Sequence, residues 1–442
     1  MHHVVQLPAP WREPAEVLSA FAGEPWALGL VSGDAGWSYV ARDPGATLTL
    51  RAGDRRDPFE ALRDLLGPPV PPAEGPPFQG GVVGLAAYEL ADRVEALGLP
   101  RQDAWPDLAA ARYEAVLAFD HRARTVLAIG RGPDRPQAQA RARAALAWLD
   151  AAPRPPRGGV LAGPLQASDP AAYEAAVGEV VGRIRAGEIF QANIARAWTG
   201  ALAPGAAPFD LFARLLAQSA APFAAYLRLP GLALVSNSPE RFLKVREGQA
   251  QTQPIKGTRP RGADPAADAA LAAELLASEK DRAENLMIVD LMRNDLARVC
   301  APGSVRVPSL WALESFANVH HLVSTVTGQL TAGATALDLL RAAFPPGSIT
   351  GAPKVQAMKV IAAHETPRGP YCGSLFWAGF DGGLDSSVLI RTAACVEGRG
   401  GWSVEARAGA GVVEGSDPRA ERLETQAKIA ALVRALTQEP CP

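Results

Sequence analysis

The chain has 442 residues, 48% of them hydrophobic and 20% charged, with a formal net charge of -2 and a pI near 6.4. That is ample apolar material for a large core, and the near-balanced charge leaves no whole-protein field for nucleic acid or anionic lipid, so any bound anion must be held by local groups. No apolar run approaches the length of a membrane span, and the start Met1-His2-His3-Val4-Val5-Gln6 lacks the charged and apolar segments of an export signal.

Proline-rich stretches at 67–77 and 152–170 exclude regular elements. The second sets the expected boundary between an N-terminal domain, 1–155, and a catalytic domain, 165–438. Before it, strands are expected around Gly81–Leu85 and Ala115–Phe119, with a helix near 135–150. After it comes a well-signalled helix, with Ser168 or Asp169 as cap, Pro170 in the first turn and apolar spacing to Ile184. Strands follow at Ile189–Trp198, Phe223–Leu229, Leu232–Ser236, Leu322–Gly328, Gly373–Phe380, Ser387–Cys395 and Trp402–Ala408. They alternate with helices at 265–299, 335–343, 352–364 and 418–437, which makes an α/β (α+β) chain. The cysteines Cys300, Cys372, Cys395 and Cys441 show neither paired spacing nor neighbouring histidines, so no zinc site or disulfide framework is indicated and a reducing, cytoplasmic setting fits.

Lysine is scarce, six residues against thirty-eight arginines, yet one stands at 256 in Pro254-Ile255-Lys256-Gly257-Thr258-Arg259. Only an amine can become a neutral nucleophile near neutral pH, which singles out Lys256 for covalent chemistry. Asp281 and Glu284 are three apart on one helix, and Glu421 and Glu424 repeat the spacing on the last helix, with Lys428 one turn on. Brought together, the two pairs offer the oxygen-only set that Mg²⁺ prefers; apart, they are solvated faces. Pro346-Gly347-Ser348-Ile349-Thr350-Gly351-Ala352-Pro353-Lys354 has the wrong glycine spacing for a nucleotide loop and reads as a turn into a helix start, able to hold an anion. Gly409-Ala410-Gly411 can likewise present backbone donors to a carboxylate. His320 and His321 are neighbours on a strand and point to opposite faces, so they cannot share one metal. No GxSxG elbow supports a serine hydrolase.

Together, Ser238-Pro239-Glu240-Arg241-Phe242, the segment around Lys256, Asp290-Leu291-Met292-Arg293-Asn294-Asp295, Gly347–Lys354 and Gly409–Lys428 occur in the order and spacing of the chorismate-utilising enzymes, which the chain resembles from about Asp169 to Leu436. The resemblance implies an αββα sandwich, two packed sheets covered by helices. Lysine at 256 is similar to the branch of aminodeoxychorismate synthase large components. Anthranilate- and isochorismate-forming relatives generally carry alanine there, and isochorismate formers place a water-activating lysine where Gln191 stands. The implied activity is amination of chorismate by ammonia to 4-amino-4-deoxychorismate, on the route to para-aminobenzoate and folate; anthranilate synthase component I is the alternative. The implied roles are Lys256 as nucleophile and Glu240 as acid to the departing hydroxyl. Glu284, Glu421 and Glu424 would hold Mg²⁺, with Asp281 behind them. Gln191, Gly257, Thr258, His321, Tyr371, Arg391, Gly409, Gly411 and Lys428 would bind substrate. Ser32, Pro222 and Tyr226 are the positions offered for a bound tryptophan. With no Gly-x-Cys-x-Gly elbow in the chain, ammonia is expected from a separate glutamine amidotransferase subunit.

Overall fold

The computed structural model describes residues 3–33, 36–155, 160–316 and 319–437. Cys441, the last residue of the expected catalytic domain at 438, and positions 156–159 of the proline-rich boundary lie outside them.

Two antiparallel sheets dominate the described residues. Along the first, the order is His3–Ala9, Thr125–Gly132, Ala115–Asp120, Trp37–Ala41, Leu28–Val31, Phe223–Leu229, Leu232–Ser238, Thr392–Gly398, Gly401–Val412, Gln191–Ala201 and Gly351–Ala352. Along the second it is Ile255–Pro260, Val319–Gln329, Gln249–Thr252, Arg241–Arg246, Leu384–Val388, Ser374–Gly379, Gly81–Ala86, Leu108–Tyr113 and Ala46–Leu50. Both sheets therefore mix strands from before and after the proline-rich boundary: Leu28–Val31 pairs with Phe223–Leu229, and Gly81–Ala86 with Ser374–Gly379.

One core lies between the sheets, where Leu28, Tyr39, Leu227 and Leu234 of the first meet Val83, Leu85 and Leu375 of the second. Helices cover the outer faces. Phe209, Phe212 and Leu215 of helix Pro208–Ser219 and Ile429, Leu432 and Leu436 of helix Pro418–Thr437 pack on the first sheet. Ile288, Met292 and Leu296 of helix Glu279–Ala297 and Leu339 and Leu340 of helix Ala336–Ala343 pack on the second. This is the αββα sandwich.

Most expected elements appear within a few residues of their bounds, and two differ. The helix expected over 265–299 is two helices, Pro265–Ala277 and Glu279–Ala297, because Ser278 leaves helical geometry (ψ 107) and its side chain caps the second by accepting from the Asp281 N–H. The strand expected over Ser387–Cys395 is also two. Leu384–Val388 belongs to the second sheet and Thr392–Gly398 to the first, and Arg391 takes a φ of 52° where the chain crosses between them.

Candidate active site

A cavity of about 730 Å³ opens where the Gly401–Val412 strand of the first sheet, the edge strand Ile255–Pro260 of the second, and helices Glu279–Ala297 and Pro418–Thr437 converge. The edge strand carries a bulge: Lys256 lies opposite Leu322 and Thr258 opposite His321, leaving Gly257 unpaired. A bulge re-aims the side chains beside it. Gly257 has φ 74°, and a methyl group there would stand 2.7 Å from Leu275 Cδ1 and 2.9 Å from Asp281 Cγ, so only glycine serves.

The Lys256 side chain lines the cavity, and a methyl on Gly411 across it would lie 3.4 Å from the Lys256 Nζ. Burial lowers the basicity of this amine; the negative charges of Glu284, Glu240 and Glu424 oppose the shift and the positive charge of Lys428 adds to it. By accessible area the whole residue is only half-buried. The two observations concern different atoms, the whole residue in one case and the amine alone in the other, and desolvation of the amine governs its chemistry.

Glu240 is buried, and desolvation raises its carboxyl to about 7, against the lowering effects of the Ser348 hydroxyl, Lys256 and Lys428. Its Oε1 accepts from Ser348 Oγ at 2.5 Å. The turn that carries it is pinned: Glu240 N–H donates to Ser238 Oγ at 3.3 Å, and that hydroxyl donates to the Val388 carbonyl at 2.6 Å. The cavity thus combines an amine pushed toward its neutral form and a carboxyl pushed toward its neutral form.

Glu284, Glu421 and Glu424 all line the cavity, with Asp281 beside them. Burial raises the Glu284 and Glu421 carboxyls, and the Glu424 charge adds to both shifts. Glu424 itself is lowered on balance: burial opposes ionisation, but Lys428, whose Nζ is 2.6 Å away, together with Lys280 and Lys256 outweighs it. Crowded carboxylate oxygens of this kind suit a hard divalent cation. Among the described residues, however, no group of three His, Cys, Asp or Glu stands at ligand spacing.

The other expected positions divide. Thr258 and His321 meet, Oγ1 to Nδ1 at 2.9 Å, and burial together with the Arg391 charge lowers the imidazole to about 4, which keeps it neutral. Tyr371, Arg391, Gly409, Gly411 and Lys428 line the cavity, with the Lys428 Nζ donating to the Gly409 carbonyl at 3.0 Å. His320 points away and contacts Asp268 at 3.0 Å and Ser315 at 2.8 Å. Gln191 is buried behind Gly411 and does not line the cavity. Ser32 and Pro222 border a second cavity of about 610 Å³, whereas Tyr226 is packed against Phe209 and Phe212 and donates to the Ala22 carbonyl at 2.8 Å. Sequence reasoning missed the partners that act at long range. Ser348 lies 108 residues from the carboxylate it binds. Arg368 is fully buried between the Tyr88 and Tyr371 rings, pairs with Glu365 at 2.8 Å and donates to the Asn193 carbonyl at 2.6 Å.

Fold and cavity define an enzyme class: the sequence profile of the family described as chorismate binding enzyme matches residues 27–434, and the chain belongs to that family. Among its members, the chain is 40% identical to the aminodeoxychorismate synthase component 1 of Klebsiella aerogenes, over 97% of this chain and 98% of that one. It is also 40% identical to the anthranilate synthase component 1 of Streptomyces coelicolor, over 91% of this chain and 81% of that one. The crystal structure of anthranilate synthase component I from Streptococcus pneumoniae superposes with a TM-score of 0.80 at 28% identity, covering 92% of this chain and 94% of that one.

Proposed function

We propose that this enzyme aminates chorismate with ammonia to 4-amino-4-deoxychorismate, on the way to para-aminobenzoate and folate, through a transient bond between Lys256 and the substrate ring. The observation that carries this reading is the Lys256 amine, desolvated inside the cavity that also holds the raised carboxyl of Glu240. Identity alone does not separate the two kinds of relative, since both reach 40%; the lysine at 256, which the family resemblance associates with the aminating branch, supports amination.

Hydroxide is a poor leaving group, and two displacements divide the difficulty. The neutral Lys256 amine forms a bond to C2 as the ring double bonds shift and the C4–O bond breaks, with the Glu240 proton leaving on the departing oxygen as water. Ammonia then forms a bond to C4, the double bonds shift back, the C2–N bond breaks, and Lys256 is released; one proton passes from the new ammonium to Glu240. The net change is chorismate plus ammonia giving aminodeoxychorismate plus water, with the enolpyruvyl group retained. Arg391 can take a substrate carboxylate through its paired donors, and the neutral His321 presents no charge to the ring.

Glu284, Glu421 and Glu424 would hold Mg²⁺, which when bound neutralises a substrate carboxylate. Ammonia is proposed to come from a separate glutamine amidotransferase subunit. The component 1 designation of the Klebsiella relative supports a partner, and Cys372 and Cys395 are buried thiols pushed up to about 12, unsuited to glutamine hydrolysis.

Incubation with chorismate, Mg²⁺ and ammonium, followed by mass analysis, tests the reading. Aminodeoxychorismate without pyruvate is expected; anthranilate with equimolar pyruvate would assign the chain to the other branch.

A further inference from the structure

Strand Gln191–Ala201 runs antiparallel to Gly401–Val412, with Asn193 opposite Gly411 and Ala195 opposite Gly409. The glycines leave room that two amides fill: the Gln191 side chain lies over Gly411, and Asn193 Nδ2 lies 2.8 Å from where a methyl on Gly409 would stand. Asn193 borders the cavity, yet only 7% of it is exposed. Its main chain is held on both sides, the N–H donating to the Thr350 carbonyl at 2.9 Å and the carbonyl accepting from Arg368 at 2.6 Å. The side chain is not so held: Nδ2 is shut off from solvent and has no hydrogen-bond partner. Leaving an amide donor buried and unpaired is destabilising, a penalty that an alanine or valine at 193 would not incur. A fixed backbone carrying an unpaired donor at a cavity wall calls for an acceptor from the cavity.

We propose that Asn193 is a substrate-binding residue whose side-chain amide donates to an oxygen of bound chorismate, beside Lys428. The inference rests on the reading of this cavity as the chorismate site and adds a contact to it. The terminal torsion of asparagine is broad, so the N–H turns from Gly409 into the cavity while the strand stays in place. A donor here, next to the Lys428 ammonium, suits the carboxylate or ether oxygens of the ligand. An acceptor of the same shape would repel them.

Chorismate affinity, measured by calorimetry with Mg²⁺ and no ammonia in a Lys256→Ala background where no covalent adduct can form, decides the point. Asn193→Ala should weaken binding about tenfold, and Asn193→Asp should weaken it further, as expected for loss of one hydrogen bond to a charged oxygen and then for repulsion. Asn193→Ser, which keeps a hydroxyl donor, should recover part of the loss. In turnover assays the change should appear in KM for chorismate, with KM for ammonium unmoved. An alanine variant that melts like the wild type and binds chorismate equally well would overturn the proposal. So would equal losses in all three variants accompanied by a lowered melting temperature, which would mark a packing role. If the wild type binds chorismate but releases pyruvate, the amination reading fails while the affinity comparison still decides the role of Asn193.

Discussion

Lys256 and Glu240 depend on each other's protonation state, and that dependence has a sign. Glu240 must carry a proton, and its carboxyl sits at about 7, so kcat/KM should fall as pH rises above that value. Lys256 must be neutral, and burial lowers its pKa, so the rate should rise from acid pH as the amine loses its proton. Glu240→Gln should reduce kcat by about 10² or more and flatten the alkaline limb of the remaining activity, which a pH profile of both proteins will read. The same carboxyl enters stability. Its folded value lies above its ordinary 4.5, so its contribution is fully present below about 4.5 and lost as pH rises through about 7. Melting temperatures at pH 5 and pH 8 should therefore differ less for Glu240→Gln than for the wild type. At this scale the sequence was legible where rarity spoke, as with one lysine among so many arginines. It was silent where a property comes from distant neighbours: the Ser348 hydroxyl on Glu240 and the orphan amide of Asn193 exist only once the strands are paired.

The site depends on how a few elements begin and bend. Ser278 caps the helix that carries Asp281 and Glu284, and Ser278→Ala should cost about 1 kcal/mol, read as a lower denaturation midpoint with the slope unchanged. Gly257 makes the bulge that aims Lys256. Gly257→Ala forces a side chain into φ 74° and against Leu275 and Asp281, so a loss of about 1–3 kcal/mol is expected, together with a larger fall in kcat than in chorismate affinity. Helix Pro170–Arg185 and strand Phe223–Leu229 were readable because cap, proline and apolar spacing agree. The break at Ser278 was hidden because both flanking segments favour helix. The break at Arg391 was hidden because strand-favouring residues stand on both sides of it, and a change of sheet leaves no mark in such a run.

For the whole molecule, the proline-rich boundary at 152–170 divides the chain in sequence, while the strands on either side share both sheets. Residues 165–437 alone would expose the edges of Phe223–Leu229 and Ser374–Gly379 and the core between the sheets. Expressed by itself, that segment should aggregate, and co-expression with residues 1–155 should restore soluble protein, which size-exclusion chromatography will show. Interleaving of this kind cannot be read from composition or periodicity, because it depends on pairings between strands far apart in the chain, Leu28–Val31 with Phe223–Leu229 and Gly81–Ala86 with Ser374–Gly379.

A covalent bond through Lys256 should show in the intact mass of the protein mixed with chorismate and Mg²⁺ in the absence of ammonia. The expected result is a mass increase equal to chorismate less water, mapping to the peptide that contains Lys256, released when ammonium is added, and missing from Lys256→Ala. Amination by Lys256→Ala at the wild-type rate, or full turnover with no adduct on that peptide, would contradict it.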